Sequence, residues 1–158
     1  MASSNRRLDA WRSVVTSHAA VTERVQRALA GADLPPLSWF ELLRAVKSSP
    51  NGRPRMSELA DYLTLSRGGI TKLVDRLQEA GYLERVSCAD DRRALQAELT
   101  AAGERMLGEM EAVYAGELGR HLKALTGEEA DLIIEALEKV TASTCDRATH
   151  ATAAATAE

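Results

Sequence analysis

The fold of this chain is decided by residues 56–86, which read MSELADYLTLSRGGITKLVDRLQEAGYLERV. Apolar residues recur at i, i+3, i+4 and i+7 from Met56 to Leu63, and the same spacing repeats in the segment that ends at Leu77. This periodicity is typical of amphipathic helices. Because Thr64-Leu65-Ser66 is a short connection, the two helices must cross steeply to bury both stripes in one core. The stretch predicts a helix-turn-helix.

A β-hairpin is predicted directly behind this helix-turn-helix. Gly81 supplies the left-handed conformation with which many helices end. Tyr82–Val86 and Leu95–Leu99 then alternate apolar and polar residues, as half-buried strands do. The residues between them, 88–93, are mostly polar and charged. A hairpin in this position is the wing of a winged helix-turn-helix lobe.

Longer helices are predicted on both sides of this lobe. In residues 8–29 apolar positions recur at alternating spacings of three and four, as in a coiled-coil seam. Residues 38–41 and 126–129 have the spacing of a capping box, which opens a helix, and Thr100 is placed to cap a long amphipathic helix. From about Thr141 onward the Ala- and Thr-rich composition predicts a flexible tail.

The charge of the chain is divided unevenly along its length. The net charge is -3. Residues 1–100 carry 15 Lys and Arg against 12 Asp and Glu, whereas residues 101–158 carry 5 against 11. A half that faces DNA joined to an acidic half has this distribution. The charge therefore permits a nucleic-acid partner without establishing one.

Several functional classes are disfavoured by the sequence. No apolar run approaches the about 20 residues of a membrane helix, and the N-terminus lacks the apolar stretch of a signal peptide, so we expect a cytoplasmic protein with no membrane partner. Cys88 and Cys145 are far apart, which argues against a disulfide. The three histidines, His18, His121 and His150, lack metal-ligand spacing. No nucleophile–base pair, carboxylate pair or phosphate loop emerges, so we expect neither an enzyme nor a cofactor.

Four segments in register resemble the multiple-antibiotic-resistance regulator (MarR) family: Met56–Ala60, Ser66–Leu77, Gly81–Arg85 and Asp91–Thr100. The last resembles that family's wing signature, Asp-x-Arg followed by an apolar alternation and Leu-Thr. The resemblance extends over residues 37–125. It implies a mainly α fold, in which a winged helix-turn-helix lobe with a β-hairpin wing is flanked by N- and C-terminal dimerisation helices.

The resemblance also predicts how the chain is divided. Residues 1–36 would form the N-terminal dimerisation helix, 37–100 the DNA-binding lobe, 101–142 the C-terminal dimerisation helices, and 143–158 a flexible Ala/Thr-rich tail. It further implies a homodimer that reads a pseudo-palindromic operator in double-stranded DNA and represses nearby genes. In the family, repression is often relieved by a small molecule or by thiol oxidation.

In such a lobe the helix from Ser66 to Leu77 lies in the major groove of DNA. The resemblance places there the residues Ser66, Arg67, Gly68, Gly69, Thr71, Lys72 and Arg76. An arginine can bond guanine with two hydrogen bonds, whereas threonine and lysine serve bases or phosphates. The alternative is a solvated helix face on which Arg76 pairs with Asp75 or Glu79.

The wing would approach the minor groove. Arg93 resembles the wing arginine that enters a narrow, A·T-rich minor groove, where the negative potential is concentrated. Asp91 would orient the hairpin by pairing with a basic neighbour, and Arg92 would reach a phosphate. The alternative is a charged hairpin tip that keeps the protein soluble.

A ligand pocket is the least specific of these predictions. The resemblance makes Trp11, His18 and Trp39 candidates for lining a crevice that takes up a small aromatic or phenolic effector, although core or interface positions explain each of them better. His18, polar within an apolar stripe, is the best single candidate for a pH-sensitive position. Cys88 lies beside the wing, but peroxide-sensing relatives carry their reactive cysteine in the first helix. This departure disfavours oxidation sensing.

The sequence therefore predicts a DNA-binding transcriptional regulator. Two other classes remain as alternatives. One is a dimeric helical adaptor with a degenerate DNA-binding lobe, which the acidic net charge and the glycines at 68 and 69 would suit. The other is a helical enzyme, which lacks support from any catalytic motif.

Overall fold

The structure is a computed structural model that describes residues 2–87 and 95–154. It contains six helices and one hairpin, so the predicted mainly α fold is confirmed. In chain order these elements are α1 (Ala2–Gly31), α2 (Leu37–Ser48), α3 (Met56–Tyr62), α4 (Arg67–Glu79), β1 (Leu83–Ser87), β2 (Leu95–Leu99), α5 (Ala101–Leu122) and α6 (Gly127–Ala154). The chain divides into two units, of which the first ends at Gly119 and the second begins at Arg120. No helix among the described residues is long and apolar enough to cross a membrane.

The core of the first unit joins the helix-turn-helix to the helices around it. Phe40 is buried in it, and its ring centroid lies 4.6 Å from that of Tyr114. The apolar stripes predicted for α3 and α4 both face this core. The buried residues come from all elements of the unit: Val25, Leu29, Leu37, Phe40, Leu42, Leu43, Ala45, Val46, Leu59, Ala60, Ile70, Val74, Leu77, Leu83, Ala97, Leu107 and Met110.

The hairpin pairs as the alternation predicts. β1 and β2 are antiparallel, with Leu83 opposite Leu99 and Arg85 opposite Ala97. A third segment lies beside β2, which the sequence pattern does not predict. The amide of Ala97 donates a hydrogen bond to the carbonyl of Pro54 at 3.1 Å, and Arg55 forms an isolated bridge with Gln96. The loop before α3 therefore covers one edge of the hairpin.

The start of α2 differs from its prediction. The prediction of a capping box at residues 38–41 is wrong. Helix α2 begins at Leu37 with Pro36 at its N-cap, and it has no side-chain cap. Proline has a φ of -64° here, and its carbonyl accepts the amide of Trp39 at 2.9 Å, so the turn closes without a hydroxyl. Ser38 lies inside the first turn. The other predicted box is confirmed, since the Thr126 hydroxyl and the Glu129 carboxylate each accept from the other's backbone amide.

In the second unit, α6 runs to Ala154 and so passes residue 142, where we expected the last dimerisation helix to end. Alanine has the highest helix propensity of all residues. The hydroxyl of Thr141 bonds the carbonyl of Leu137, and that of Thr144 bonds the carbonyl of Thr141, within the helix. The Ala/Thr-rich composition is thus compatible with helix. Flexibility of residues 143–158 stays a prediction.

The backbone of α5 lies very close to that of the residue after Gly81. A Cβ atom on Gly103 would lie 2.0 Å from the carbonyl oxygen of Tyr82. The Thr100 hydroxyl accepts the amide of Gly103 at 3.0 Å and donates to the carbonyl of Gly81 at 2.7 Å. Residue 103 therefore has to be glycine for α5 to begin where it does.

We predict that Gly103→Ala destabilises the protein by roughly 1–3 kcal/mol, because the methyl group forces backbone atoms apart. The control is Gly108→Ala in the same helix, where a Cβ would meet nothing within 4 Å. That change should stabilise by up to about 1 kcal/mol, because alanine favours helix. Urea unfolding measures both. Equal free energies of unfolding for the two variants would contradict the close contact.

Candidate nucleic-acid interface

The candidate interface is the exposed face of α4. The Ser66 hydroxyl caps this helix by accepting the amide of Gly69 at 3.1 Å. On the inner side Ile70, Val74 and Leu77 are buried, which fixes the rotation of the helix about its axis. The opposite side is consequently held towards solvent by the core.

The structure brings all seven α4 candidates together on or beside this face. Gly69 is half-buried, and the other six, Ser66, Arg67, Gly68, Thr71, Lys72 and Arg76, are exposed. The two glycines differ in their surroundings. A Cβ on Gly68 would point into open space, whereas a Cβ on Gly69 would lie 3.2 Å from the Ser66 hydroxyl oxygen. Gly68 thus leaves room for an outside group, and Gly69 leaves room for the cap.

The positive charges of this face have no acidic partner within the described part of the chain. Arg67, Lys72 and Arg76 form none of the ion pairs found between described residues. Asp75 pairs instead with Arg85 of β1, at 2.5 Å between Oδ1 and Nη2. The pairing of Arg76 with Asp75, considered as an alternative from the sequence, is therefore not the arrangement that the structure has. The cations remain able to bind an external anion.

The hydroxyl of Thr71 already donates one hydrogen bond within α4. It donates to the carbonyl of Arg67 at 2.8 Å, one helical turn earlier. Since a hydroxyl carries one proton and two lone pairs, Thr71 in this rotamer presents acceptors to solvent. It suits a donor such as an adenine or cytosine amino group better than a phosphate.

The base of the hairpin is held by a second ion pair. Arg53 Nη2 lies 2.8 Å from Glu98 Oε1, and this hydrogen bond is the main cause that raises the pKa of Arg53. Glu84 lies directly opposite Glu98 across the strands, so the cation also offsets the repulsion between two carboxylates. The candidate wing residues Asp91, Arg92 and Arg93, together with Cys88, lie outside the described residues.

The three candidates for a ligand pocket have different surroundings. Trp11 and His18 are exposed on α1, and Trp39 is half-buried on α2, where its ring meets the edge of Tyr82 at 6.0 Å between centroids. A cavity of about 340 Å³ lies between α2, α3 and α5, and none of the three lines it. Its lining consists of Phe40, Glu41, Arg44, Tyr62, Leu63 and Tyr114. A pocket at Trp11, His18 and Trp39 stays a prediction.

Two arginines of this region have structural roles that the sequence pattern does not predict. Arg53 precedes α3 and holds β2, and Arg85 of β1 contacts both Asp75 and Gln78 of α4. A signal for Arg85 was present in the sequence. It stands two residues after Leu83, at a strand position that alternation assigns to the inner face, where a charge requires a partner.

The fold and the exposed α4 face define a winged helix-turn-helix protein. Residues 32–94 match the model of the MarR family. Together with the structures described below, this match confirms the resemblance to the MarR family of transcriptional regulators that the sequence indicates. Members of this family are regulators rather than enzymes.

Solved structures of the family superpose on most of the chain. A MarR family transcriptional regulator from Streptomyces coelicolor, Sco3205, in complex with DNA, is 26% identical with a TM-score of 0.77, over 85% of this chain and 88% of its own. AbsC from the same organism is 24% identical with a TM-score of 0.79, over 88% and 94%. A mutant MarR from E. coli complexed with operator DNA is 23% identical with a TM-score of 0.74, over 86% and 96%. The last two likenesses show the fold.

We predict that Ser66→Ala lowers the free energy of unfolding by about 1 kcal/mol, because α4 loses its N-cap. Ser38→Ala is the matched control, since Ser38 is an exposed serine at a helix start whose hydroxyl caps nothing. Its effect should lie within about 0.5 kcal/mol of zero, as for ordinary surface substitutions. Urea unfolding of both variants measures the difference. A loss of equal size at Ser38 would refute the assigned cap.

Proposed function

We propose that this chain is a homodimeric transcriptional repressor that binds a pseudo-palindromic operator in double-stranded DNA. The observation that carries the proposal is the exposed face of α4, where three cations lack acidic partners among the described residues. The match of residues 32–94 to the MarR family model supports it. DNA-bound structures of similar fold, those of Sco3205 and of the mutant MarR, support it as well.

In this proposal the first half of α4 enters the major groove. Recognition helices of helix-turn-helix proteins contact base edges mainly with their N-terminal residues. That half of the exposed face carries Arg67, Thr71 and Lys72 and holds no acidic residue, whereas Asp75 and Glu79 follow one turn later. Arg67 and Lys72 contact guanine or phosphate, and Arg76 contacts the phosphate backbone. Gly68, where a Cβ would point into open space, lets the start of the helix approach the DNA closely, while Ser66 and Gly69 form the cap beside it.

The wing completes each half-site. We assign Arg93 to the adjacent minor groove and Arg92 to a phosphate, with Asp91 orienting the hairpin. Support comes from the base of the hairpin, which is fixed against residues 53–55 on one side and against α4 on the other. A hairpin held at its base can deliver its tip to one place on the DNA.

A second copy of the chain explains the apolar surfaces of the outer helices. On α1, Leu8 and Trp11 are 56% and 59% exposed. On α6, Leu132 and Ile134 are 65% and 55% exposed. Large apolar side chains grouped in this way mark interfaces. We assign these surfaces of α1 and α6 to dimerisation, which places residues 1–36 and 101–142 in the dimer and 37–100 on DNA.

The remaining assignments follow from the class of protein. The regulator works in the cytoplasm, performs no catalysis and needs no cofactor. An aromatic or phenolic effector that enters near Trp11, His18 and Trp39 would release it from DNA. The described residues contain no group of three potential ligands for a metal ion.

The proposal is tested by selecting DNA from a random-sequence pool with the purified protein and measuring affinity by fluorescence anisotropy. We expect an inverted repeat to be enriched. We also expect binding to weaken steeply with salt, because the protein displaces counterions from the phosphates. A dimer that binds no DNA even at low salt would contradict the proposal and favour the adaptor alternative.

Lys72→Ala should cost roughly 1–3 kcal/mol at the selected site if Lys72 contacts a base, and much less on random DNA. A phosphate contact would instead weaken both DNAs equally and reduce the salt slope by about 1. The control is Lys123→Ala, which removes the same charge in the exposed turn between α5 and α6. Wild-type affinity for both DNAs after Lys72→Ala would remove this residue from the interface.

A further inference from the structure

Among residues 83–87 and 95–99, the described strands of the hairpin, Arg85 is the one whose side chain donates hydrogen bonds to two residues of α4. Its Nη2 atom donates to Asp75 Oδ1 at 2.5 Å, and its Nη1 atom donates to Gln78 Oε1 at 3.3 Å. Asp75 and Gln78 are separated by one turn of helix. The planar guanidinium, whose donors have a fixed geometry, thus holds both the distance and the angle between β1 and α4.

The position of Arg85 in the strand is unusual for a charged residue. Leu83 is buried on the same face of β1, and the residue opposite Arg85 on β2 is Ala97, which has no exposed surface. Alternation therefore directs Arg85 to the inner face of the hairpin, at the margin of the core. Its side chain is 24% exposed, whereas that of Asp75 is 44% exposed.

The burial of Arg85 leaves one of its polar atoms without a partner. Its Nε atom is buried and makes no hydrogen bond with a described residue. A buried donor that loses water without gaining a protein partner opposes folding. An apolar side chain at the margin of the core would avoid this cost, so the stability of the lobe does not by itself explain an arginine here.

We infer that Arg85 and Asp75 form a clamp that fixes the wing relative to the α4 face, so that both fit the DNA of one half-site together. This inference rests on the proposed function. Arg85 acts here as a positioning residue and does not contact DNA. A binding surface that is already rigid loses less conformational entropy when it binds. Because the correct DNA alone engages helix and wing simultaneously, the clamp increases affinity for the operator more than for random DNA.

A direct contact between Arg85 and a phosphate is the competing explanation. The two explanations predict opposite changes in operator affinity for the substitution Asp75→Asn. If Arg85 bound DNA directly, Asp75→Asn would free its guanidinium and remove a negative charge near the DNA. Affinity for operator and random DNA would then both increase. If Asp75 and Arg85 form a clamp, Asp75→Asn loosens the wing. Affinity for the operator then decreases although the protein has become less negative.

The experiment compares Asp75→Asn, Arg85→Gln and the double variant with Glu79→Gln, as full-length proteins. Glu79 is exposed on the same helix and forms none of the described ion pairs, so its substitution removes the same charge without touching Arg85. The probes are the DNA site selected by the wild-type protein and a random duplex. For each protein we measure both affinities by anisotropy, the temperature of unfolding and the oligomeric state.

We expect each single variant of the clamp to lower the ratio of operator affinity to random-DNA affinity by roughly five- to tenfold. The double variant should lower this ratio no further, because the effects of substitutions at two coupled residues are not additive. Glu79→Gln should keep the wild-type ratio. If Arg85→Gln does not fold, Arg85→Lys preserves the charge but cannot reach Asp75 and Gln78 together, and should lower the ratio less than Asp75→Asn does.

Three results would overturn the inference. Equal ratios for Asp75→Asn and Glu79→Gln would show that the pair does not position the wing. An increase in affinity for both DNAs on Asp75→Asn would assign Arg85 to DNA itself. A fall in the temperature of unfolding with an unchanged ratio would leave the pair a purely structural role. A wild-type protein that selects no sequence would instead overturn the proposed function.

Discussion

The close contact between Gly103 and the carbonyl of Tyr82 is the constraint on which the arrangement of the lobe depends. Around it, the amide of Tyr82 donates to the carbonyl of Leu77 at 2.9 Å, and the amide of Thr100 donates to the carbonyl of Tyr82 at 3.1 Å. The ring of Tyr82 meets Trp39. The end of α4, both ends of the hairpin and the start of α5 are therefore joined within a few residues. Helix α4 and the base of the wing consequently share one support.

In this molecule the pairing of charged side chains, rather than the net charge, decides which surface is cationic. The chain is acidic overall, yet Asp75, Glu98 and Glu104 pair with cations that lie off the exposed α4 face. Lys47 of α2 pairs with Glu104, and this hydrogen bond lowers the pKa of the Glu104 carboxyl. Arg53 holds Glu98 in the same way. Such exposed pairs contribute little to stability, but they leave Arg67, Lys72 and Arg76 without internal partners among the described residues. An acidic chain can thus present a cationic surface.

Most of the architecture could be predicted from the sequence because it depends on local signals. The 3.6-residue period, the serine before α4 and the glycine after it fix the two helices and their ends. Gly81 has a φ of +76° and supports two backbone bonds at the end of α4. The alternation from Leu83 to Leu99 fixes the hairpin and its register.

The features that the sequence did not reveal depend on contacts between distant residues. Residues 53–55 pair with β2 across more than 40 positions, and no short-range pattern marks this pairing. The start of α2 was misjudged because proline can begin a helix without a side-chain cap. The partner of Asp75 could not be chosen from spacing, since Arg76 and Arg85 both lie within reach along the chain. The positions of the DNA-facing residues followed from a resemblance, and their roles stay predictions.

Hydroxyl-radical footprinting of the dimer on its selected DNA site tests the central claim most directly. Two α4 faces that enter successive major grooves should protect two regions whose centres lie about 10 base pairs apart, on one face of the duplex, as dimeric helix-turn-helix proteins do. Wings in the flanking minor grooves should extend each region outward. A single protected region, or protection without any regular spacing, would contradict a dimer that reads DNA with two recognition helices.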